Sequence, residues 1–188
     1  MPLNVLLLGP QGAGKGTQAK RISAEYGIPH IASGEILRAE MDAGTELGKR
    51  VKETIERGDL VSDDLMIELI RNRLEQPDTE AGFVLDGFPR TIVQAEALDS
   101  MFADIGKNFS VAFALQIPDE VAFDRLRRRA RADDTDEAIQ RRLDNYHRET
   151  EPLIEFYRTR GNVVPIHANR SENEVFAEVQ SALEQVPA

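Results

Sequence analysis

The sequence predicts an α/β fold, a five-stranded parallel sheet with helices on both faces in three layers. Three observations carry this. Short continuous apolar runs recur along the chain, as strands buried on both faces require: Asn4–Leu8, Phe83–Leu85, Val111–Ile117, Val163–Ile166 and, more weakly, Ile28–Ile31. Between them the apolar residues fall at helical spacing, and alternating strands and helices argue for a parallel sheet. A length of 188 residues with no linker, repeat or low-complexity stretch suits one domain with excursions.

Taken in order, the first strand stops at Gly9-Pro10, and Ala19, Ile22 and Tyr26 carry the helix that follows. Ser33 reads as the N-cap of the next helix, and the stretch from Ser33 to Arg73 reads as wholly helical, partly an insert off the sheet. Ser62-Asp63-Asp64 opens a helix whose stripe is Leu65, Leu69 and Leu74. A later stripe of Ile139, Leu143 and Tyr146 breaks at Pro152 and resumes over Leu153–Tyr157.

Composition excludes several classes. The chain is 41% hydrophobic and 30% charged, which is ordinary for a globular protein and unlike a collagen-like or disordered one. No apolar run approaches the ~20 residues that span a bilayer, and no signal-peptide pattern is present. The absence of cysteine rules out disulfides and Cys-ligated zinc, and suits a reducing cytoplasm. A net charge of −10 argues against broad nucleic-acid binding, and no membrane partner is expected.

The strongest motif is Gly9-Pro10-Gln11-Gly12-Ala13-Gly14-Lys15-Gly16-Thr17, lying between a predicted strand and a predicted helix. In that context the glycines turn the backbone so that successive N–H groups surround phosphate oxygens, and the helix N-terminus adds partial positive charge. Lys15 is placed to bridge phosphates, and Thr17 to face Mg²⁺ or its water shell. The Gly-Lys-Gly-Thr order departs from the general motif, which has the hydroxyl residue directly after the lysine.

Asp86 lies at the carboxyl end of a buried strand, opening Asp86-Gly87-Phe88-Pro89-Arg90-Thr91, and open α/β folds bind ligands beyond such strand ends. A carboxylate there can hold Mg²⁺ through water, although an Asp-Gly pair is also a common turn. Arg90 could grip a phosphate through two parallel hydrogen bonds. Arg38, five residues after Ser33, could hold a second anion, and the Gly58-Asp59-Leu60-Val61 backbone could meet a base. Seven arginines fall within eighteen residues: Arg125, Arg127, Arg128, Arg129, Arg131, Arg141 and Arg142. Arg125 and Arg129 repel on one helical face, so helix stability does not explain them. A solvated network with Asp133, Asp134, Asp136 and Glu137 is one reading. The other is phosphoryl transfer, which needs several permanently cationic planar groups around the transferring phosphate. The histidines, His30, His147 and His167, are scattered and read as structural or surface residues.

These motifs, in this order and spacing, resemble the adenylate kinases over nearly the whole chain. The resemblance implies the P-loop version of the fold, with core segments 1–31, 62–126 and 138–188, a helical nucleoside-monophosphate-binding insert 32–61, and a short lid 127–137. It implies Mg²⁺-dependent transfer from ATP to AMP, giving two ADP, in a monomeric cytoplasmic enzyme. ATP would be held by Gly12, Ala13, Gly14, Lys15, Gly16, Thr17, Arg125, Arg129 and the backbone near Arg170. AMP would meet Ser33, Arg38, Asp59, Leu60, Val61, Gly87, Phe88, Pro89, Arg90, Gln94, Arg131 and Arg142. Lys15, Arg90, Arg129, Arg131 and Arg142 would be catalytic, with Mg²⁺ held through water at Thr17 and Asp86. Only three residues separate Arg129 from Asp133-Asp134, which resembles the short-lid form and leaves no room for a zinc-stabilised lid. Glu35, where adenylate kinases usually have Asp, resembles the UMP/CMP kinases, whereas Ser33 and Thr91 agree with the adenylate form. A pyrimidine-nucleotide kinase is therefore the alternative, and a P-loop module that binds without transferring phosphate the more distant one.

Overall fold

The computed structural model describes residues 2–161 and 163–186. In chain order these form β1 (Leu3–Leu8), α1 (Lys15–Tyr26), β2 (His30–Ala32), α2 (Ser33–Asp42), α3 (Glu46–Glu56), α4 (Asp63–Leu74), β3 (Gly82–Asp86), α5 (Ile92–Asp104), β4 (Val111–Gln116), α6 (Asp119–Arg129), α7 (Asp136–Asn145), α8 (Pro152–Arg158), β5 (Val163–His167) and α9 (Glu172–Leu183). The sheet has five parallel strands in the order β2-β3-β1-β4-β5. Because β1 pairs with β3 on one side and β4 on the other, the strand order reverses there. A crevice must open beyond the carboxyl end of β1, and the site is built in it.

Strand side chains alternate between faces, so each strand feeds two cores. Leu6, Leu8, Phe83 and Leu85 pack with Met66, Ile70, Leu98 and Tyr157 on one face. Val5, Leu7, Val84 and Phe113 pack with Ala19, Ile22, Val175 and Val179 of α1 and α9 on the other. A small third cluster of Ala122, Leu126, Ile139 and Leu143 joins α6 to α7. That pair carries the arginine field.

Several expectations shift. The weak strand lies at His30–Ala32 rather than from Ile28, which instead packs in the core beneath α1 and α9. The buried face of α4 is Met66, Ile70 and Leu74, with Leu65 and Leu69 on its flank. In α1, Gln18 is buried while Tyr26 is exposed. Ser33 is the first helical residue of α2 and not its cap; Ala32 holds the cap position, and the Ser33 hydroxyl donates to Gly87 O at 2.8 Å. The run from Ser33 to Arg73 is not wholly helical: it holds α2, α3 and α4, with non-helical turns between them. The break expected at Pro152 comes earlier, as a π turn over Tyr146–Thr150, and Pro152 begins α8, where its missing N–H costs nothing. No helix among the described residues is long and apolar enough to cross a membrane.

Candidate active site

The glycine-rich loop leaves β1 and enters α1 through Gly14, whose φ of 88° is left-handed and favours glycine. Gly12 has φ 87°, and a Cβ there would lie 2.8 Å from Ala122 O, so the loop presses against α6. No side chain caps α1 among the described residues, and its first amides remain available to an anion. The Lys15 ammonium donates to Gly9 O at 2.8 Å and Pro10 O at 2.9 Å. Burial lowers its pKa to about 8; the positive charges of Arg90 and Arg129 add to that, while Asp86 opposes it.

Parallel pairing of β1 with β3 puts Leu7 beside Asp86, so the carboxylate emerges next to the loop. Its oxygen lies 3.5 Å from His30 Nε2, and its side chain is 14% exposed. Burial alone would raise the Asp86 pKa. The His30 ring beside it and the charges of Lys15 and Arg90 outweigh that, and the carboxyl is held below the usual range. A Cβ at Gly16 would stand 3.6 Å from this carboxylate, so the loop backbone just before Thr17 runs beside it.

A cleft of about 710 Å³ lies over the loop, lined by Gly12, Ala13, Gly14, Lys15, Gly16, Thr17, Asp86, Arg125, Arg129, Arg131 and Arg170. A narrower cavity of about 60 Å³ is lined by Ser33, Arg38, Asp59, Leu60, Val61, Gly87, Arg90, Gln94 and Arg142. Both cavities are bordered by Gln11, Gly34, Arg38, Gly87 and Arg90, and there they meet. The division matches the two expected nucleotide sets, with three differences. Arg131 lines the larger cleft only. The Phe88 side chain lies in the core and borders neither cavity. Pro89 borders a third space of about 30 Å³ behind Lys15.

Of the seven clustered arginines, four face the cavities. Arg125 ties the loop to the chain after β5, donating to Gly12 O and Ala168 O. Arg129 grips Asp134 through two hydrogen bonds of 2.9 and 2.7 Å. Arg142, 5% exposed, donates to Asp134 at 2.7 Å, to Asp133 and to Ile55 O. Arg131 offers its backbone N–H to Asp134 and its side chain to the cleft. Asp134 has no exposed side-chain surface, and although burial pushes its pKa up, the bonds from Arg129, Arg131 and Arg142 hold it below the usual range. Arg127 instead pairs with Asp136 at the surface, Arg128 is exposed, and Arg141 turns to Asp59 at 3.3 Å. The cavity-facing group is one electrostatic unit. Burial lowers the Arg90 pKa and Arg142 and Arg38 add to it; burial lowers that of Arg38 and Arg131 and Arg129 add to it.

Some participants were missed in the sequence. Gln11 borders all three cavities, and Leu37, Ile55 and Met66 wall the narrower one. Helical spacing marks the latter only as core candidates. Asp63 touches the site through Gln94 and Thr91, a pairing across 31 and 28 residues with no local signal. His30, read as scattered, is buried against Asp86, whereas His147 bridges Asp119 and Glu151 at the surface.

Comparison with known proteins shows the family. The family model described as Adenylate kinase matches residues 7–162. A protein named Adenylate kinase from Phocaeicola vulgatus is 43% identical over 188 residues, covering 98% of this chain and all of its own. One from Stenotrophomonas maltophilia is 42% identical over 185 residues, covering 96% and 99%. Another from Methanosarcina barkeri is 40% identical, covering 97% and 99%, but aligns over 213 positions and so carries a stretch that this shorter chain lacks.

Proposed function

The chain belongs to the adenylate kinase family and catalyses ATP:AMP phosphotransfer, ATP + AMP ⇌ 2 ADP; we propose that it does so by direct in-line transfer between nucleotides seated in the two cavities. ATP takes the larger cleft, its phosphates on the Gly12–Thr17 amides and Lys15 and its base near Arg125 and Arg170. AMP takes the narrower cavity between Ser33, Arg38, the Asp59–Val61 backbone, Gly87, Arg90 and Gln94. One observation carries the reading: Arg38 and Arg90 stand where the two cavities join, within electrostatic reach of Lys15, Arg129 and Arg131 on the larger side and Arg142 on the narrower.

The chemistry follows from that charge. The acceptor is a phosphate oxygen already anionic, so no general base is needed. The transferring group spreads negative charge over its equatorial oxygens, and preplaced cations stabilise it without reorganising. Lys15, Arg129 and Arg131 serve the donor side, and Arg90 and Arg142 the acceptor side. The insert 32–61 and the lid 127–137 are the segments we expect to close and exclude water.

Family members use Mg²⁺, and the residues here fit it. Asp86 stays ionised beside the loop that bears Thr17, and Mg²⁺ takes one or two carboxylates while keeping several waters. Asp86 and Thr17 would hold the ion through water. When bound, it neutralises phosphate charge.

The acidic, cysteine-free composition supports a cytoplasmic setting, and a site completed by one chain supports a monomer. The test is ADP formation from ATP with AMP, UMP or CMP as acceptor. AMP-dependent ADP production well above that with either pyrimidine nucleotide is expected. Slow ATP hydrolysis indifferent to AMP would overturn the reading.

A further inference from the structure

Asp63, at the first turn of α4, lies outside every residue set assigned above, yet it holds the Gln94 side chain. Gln94 sits in the first turn of α5, is 1% exposed and lines the acceptor cavity. Its amide is fixed at both ends. The Oε1 accepts from Arg90 N at 2.7 Å, and Nε2 donates to Asp63 Oδ1 at 2.8 Å. The same Asp63 oxygen accepts from the Thr91 hydroxyl at 2.9 Å, and Thr91 caps α5 through Gln94 N at 3.2 Å. The carboxylate therefore sits at the start of α4 and against the start of α5, where two helix dipoles favour negative charge.

The two anchors settle a question that a lone glutamine leaves open. An amide can flip and exchange its donor and acceptor ends. Here a flip would set an N–H against the Arg90 N–H and an oxygen against a carboxylate, so it is excluded at both ends. One N–H and one lone pair of Gln94 remain uncommitted among the described residues, and their order is fixed.

From this geometry we infer that Asp63 is a positioning residue for acceptor-base selection, acting through Gln94. The inference rests on the narrower cavity being the AMP site. Adenine presents an N6–H donor beside the N1 acceptor, matching one ordered donor–acceptor pair. Hypoxanthine presents O6 beside N1–H, the reverse order. An amide free to turn would accept either base; an amide locked by Asp63 and the Arg90 N–H accepts one. Without Asp63 a single bond remains, about which the amide can swing.

The test compares AMP with IMP as acceptors for wild type, Asp63→Ala and Asp63→Asn. In Asp63→Ala the AMP/IMP ratio of kcat/KM falls about tenfold or more, mainly through a raised KM for AMP, with KM for ATP unchanged. In Asp63→Asn, which keeps an acceptor oxygen, the ratio stays within about threefold of wild type. A purely structural role would lower AMP and IMP use alike, and that result overturns the inference, as does an unchanged ratio in Asp63→Ala. The wild-type protein gives a check that needs no stable variant: one Gln94 amide proton exchanges slowly with solvent by NMR, and rapid exchange of both is contrary. Failure of the underlying reading looks different, since wild type would then make no ADP from AMP, or Gln94→Ala would leave AMP use intact.

Discussion

Replacing Lys15 by Met should remove activity while relieving the empty fold of a strained charge. Lys15 has its ammonium on the floor of the cleft, with its pKa lowered from an ordinary 10.5 to about 8. Between those values the unfolded chain still binds a proton that the folded protein has released. Wild-type stability therefore rises with pH across that window and is flat in this respect below pH 8. At about 1.36 kcal/mol per pH unit the full gain is bounded at about 3 kcal/mol, and water in the open cleft reduces it to about 2. Methionine cannot titrate, so the difference in unfolding free energy, wild type minus Lys15→Met, isolates this effect. Lost bonds to Gly9 O and Pro10 O shift that difference by a constant, leaving its slope intact. Urea unfolding at pH 7.5 and 10.5 should show wild type gaining about 2 kcal/mol on the variant. Saturating ATP should flatten the slope, because phosphate restores the proton. At neutral pH kcat should fall about 100- to 1000-fold. A stability difference that is level or falls with pH would refute the electrostatic account, whatever the activity.

Arg90→Ala should cut kcat/KM for AMP about 100-fold while changing KM for ATP little, measured by varying each nucleotide in turn; unchanged AMP kinetics would displace Arg90 from the acceptor side. Asp134→Ala leaves the buried Arg142 with Asp133 as its sole carboxylate and should cost about 3 kcal/mol in urea unfolding, a loss under 1 kcal/mol counting against the shared pair. Because the Asp134 and Asp86 carboxyls are held below the usual range, wild type should keep their contribution above about pH 4 and lose it as pH falls further; Asp134→Asn should show a shallower acid decline. Gly87→Ala forces a side chain onto φ 81° with its Cβ 2.6 Å from the Ser33 hydroxyl, so Tm should drop by an amount matching about 1–3 kcal/mol and KM for AMP should rise.

What the sequence revealed follows the range of the forces involved. The interior strands were legible because burial on both faces demands an unbroken apolar run, as in Val5–Leu8. At the edge strand β2 that demand weakens, and His30 enters a strand that the apolar pattern places two residues earlier. On α4 the flanking Leu65 and Leu69 look as apolar as the buried Met66 and Ile70, so composition cannot fix the helix phase. The phosphate loop was legible because its chemistry is local: consecutive amides, glycines at left-handed positions and one lysine. Polar pairs formed across the fold were not. Nothing near Asp63 announces Gln94, and nothing near Ile55 announces that its carbonyl takes a hydrogen bond from Arg142.

The arginine field shows why residue type alone stops short of role. Arg127, Arg128 and Arg129 are chemically identical neighbours, yet only Arg129 borders the cleft. Helix phase selects it, one turn after Arg125, and α6 then ends at Ala130 in a left-handed conformation that turns the chain back toward the site. The Asp133-Asp134 pair, which balances the field on paper, sits inside it, and one Asp134 carboxylate joins Arg129 of α6 to Arg142 of α7. Among the described residues, the other partners of these cationic groups are mostly backbone carbonyls, at Gly9, Pro10, Gly12, Gly87, Ile55 and Ala168. Carbonyl oxygens hold these groups in place without neutralising them. The cleft thus keeps an uncompensated positive potential inside a chain of net charge −10, and that potential weakens the empty fold as it prepares the site. The phosphates of bound nucleotides would supply the missing counter-charge. Nucleotide binding must therefore raise stability, by about 2.7 kcal/mol at a free concentration 100 times Kd for a single site, with the gain concentrated in the arginine-bearing walls.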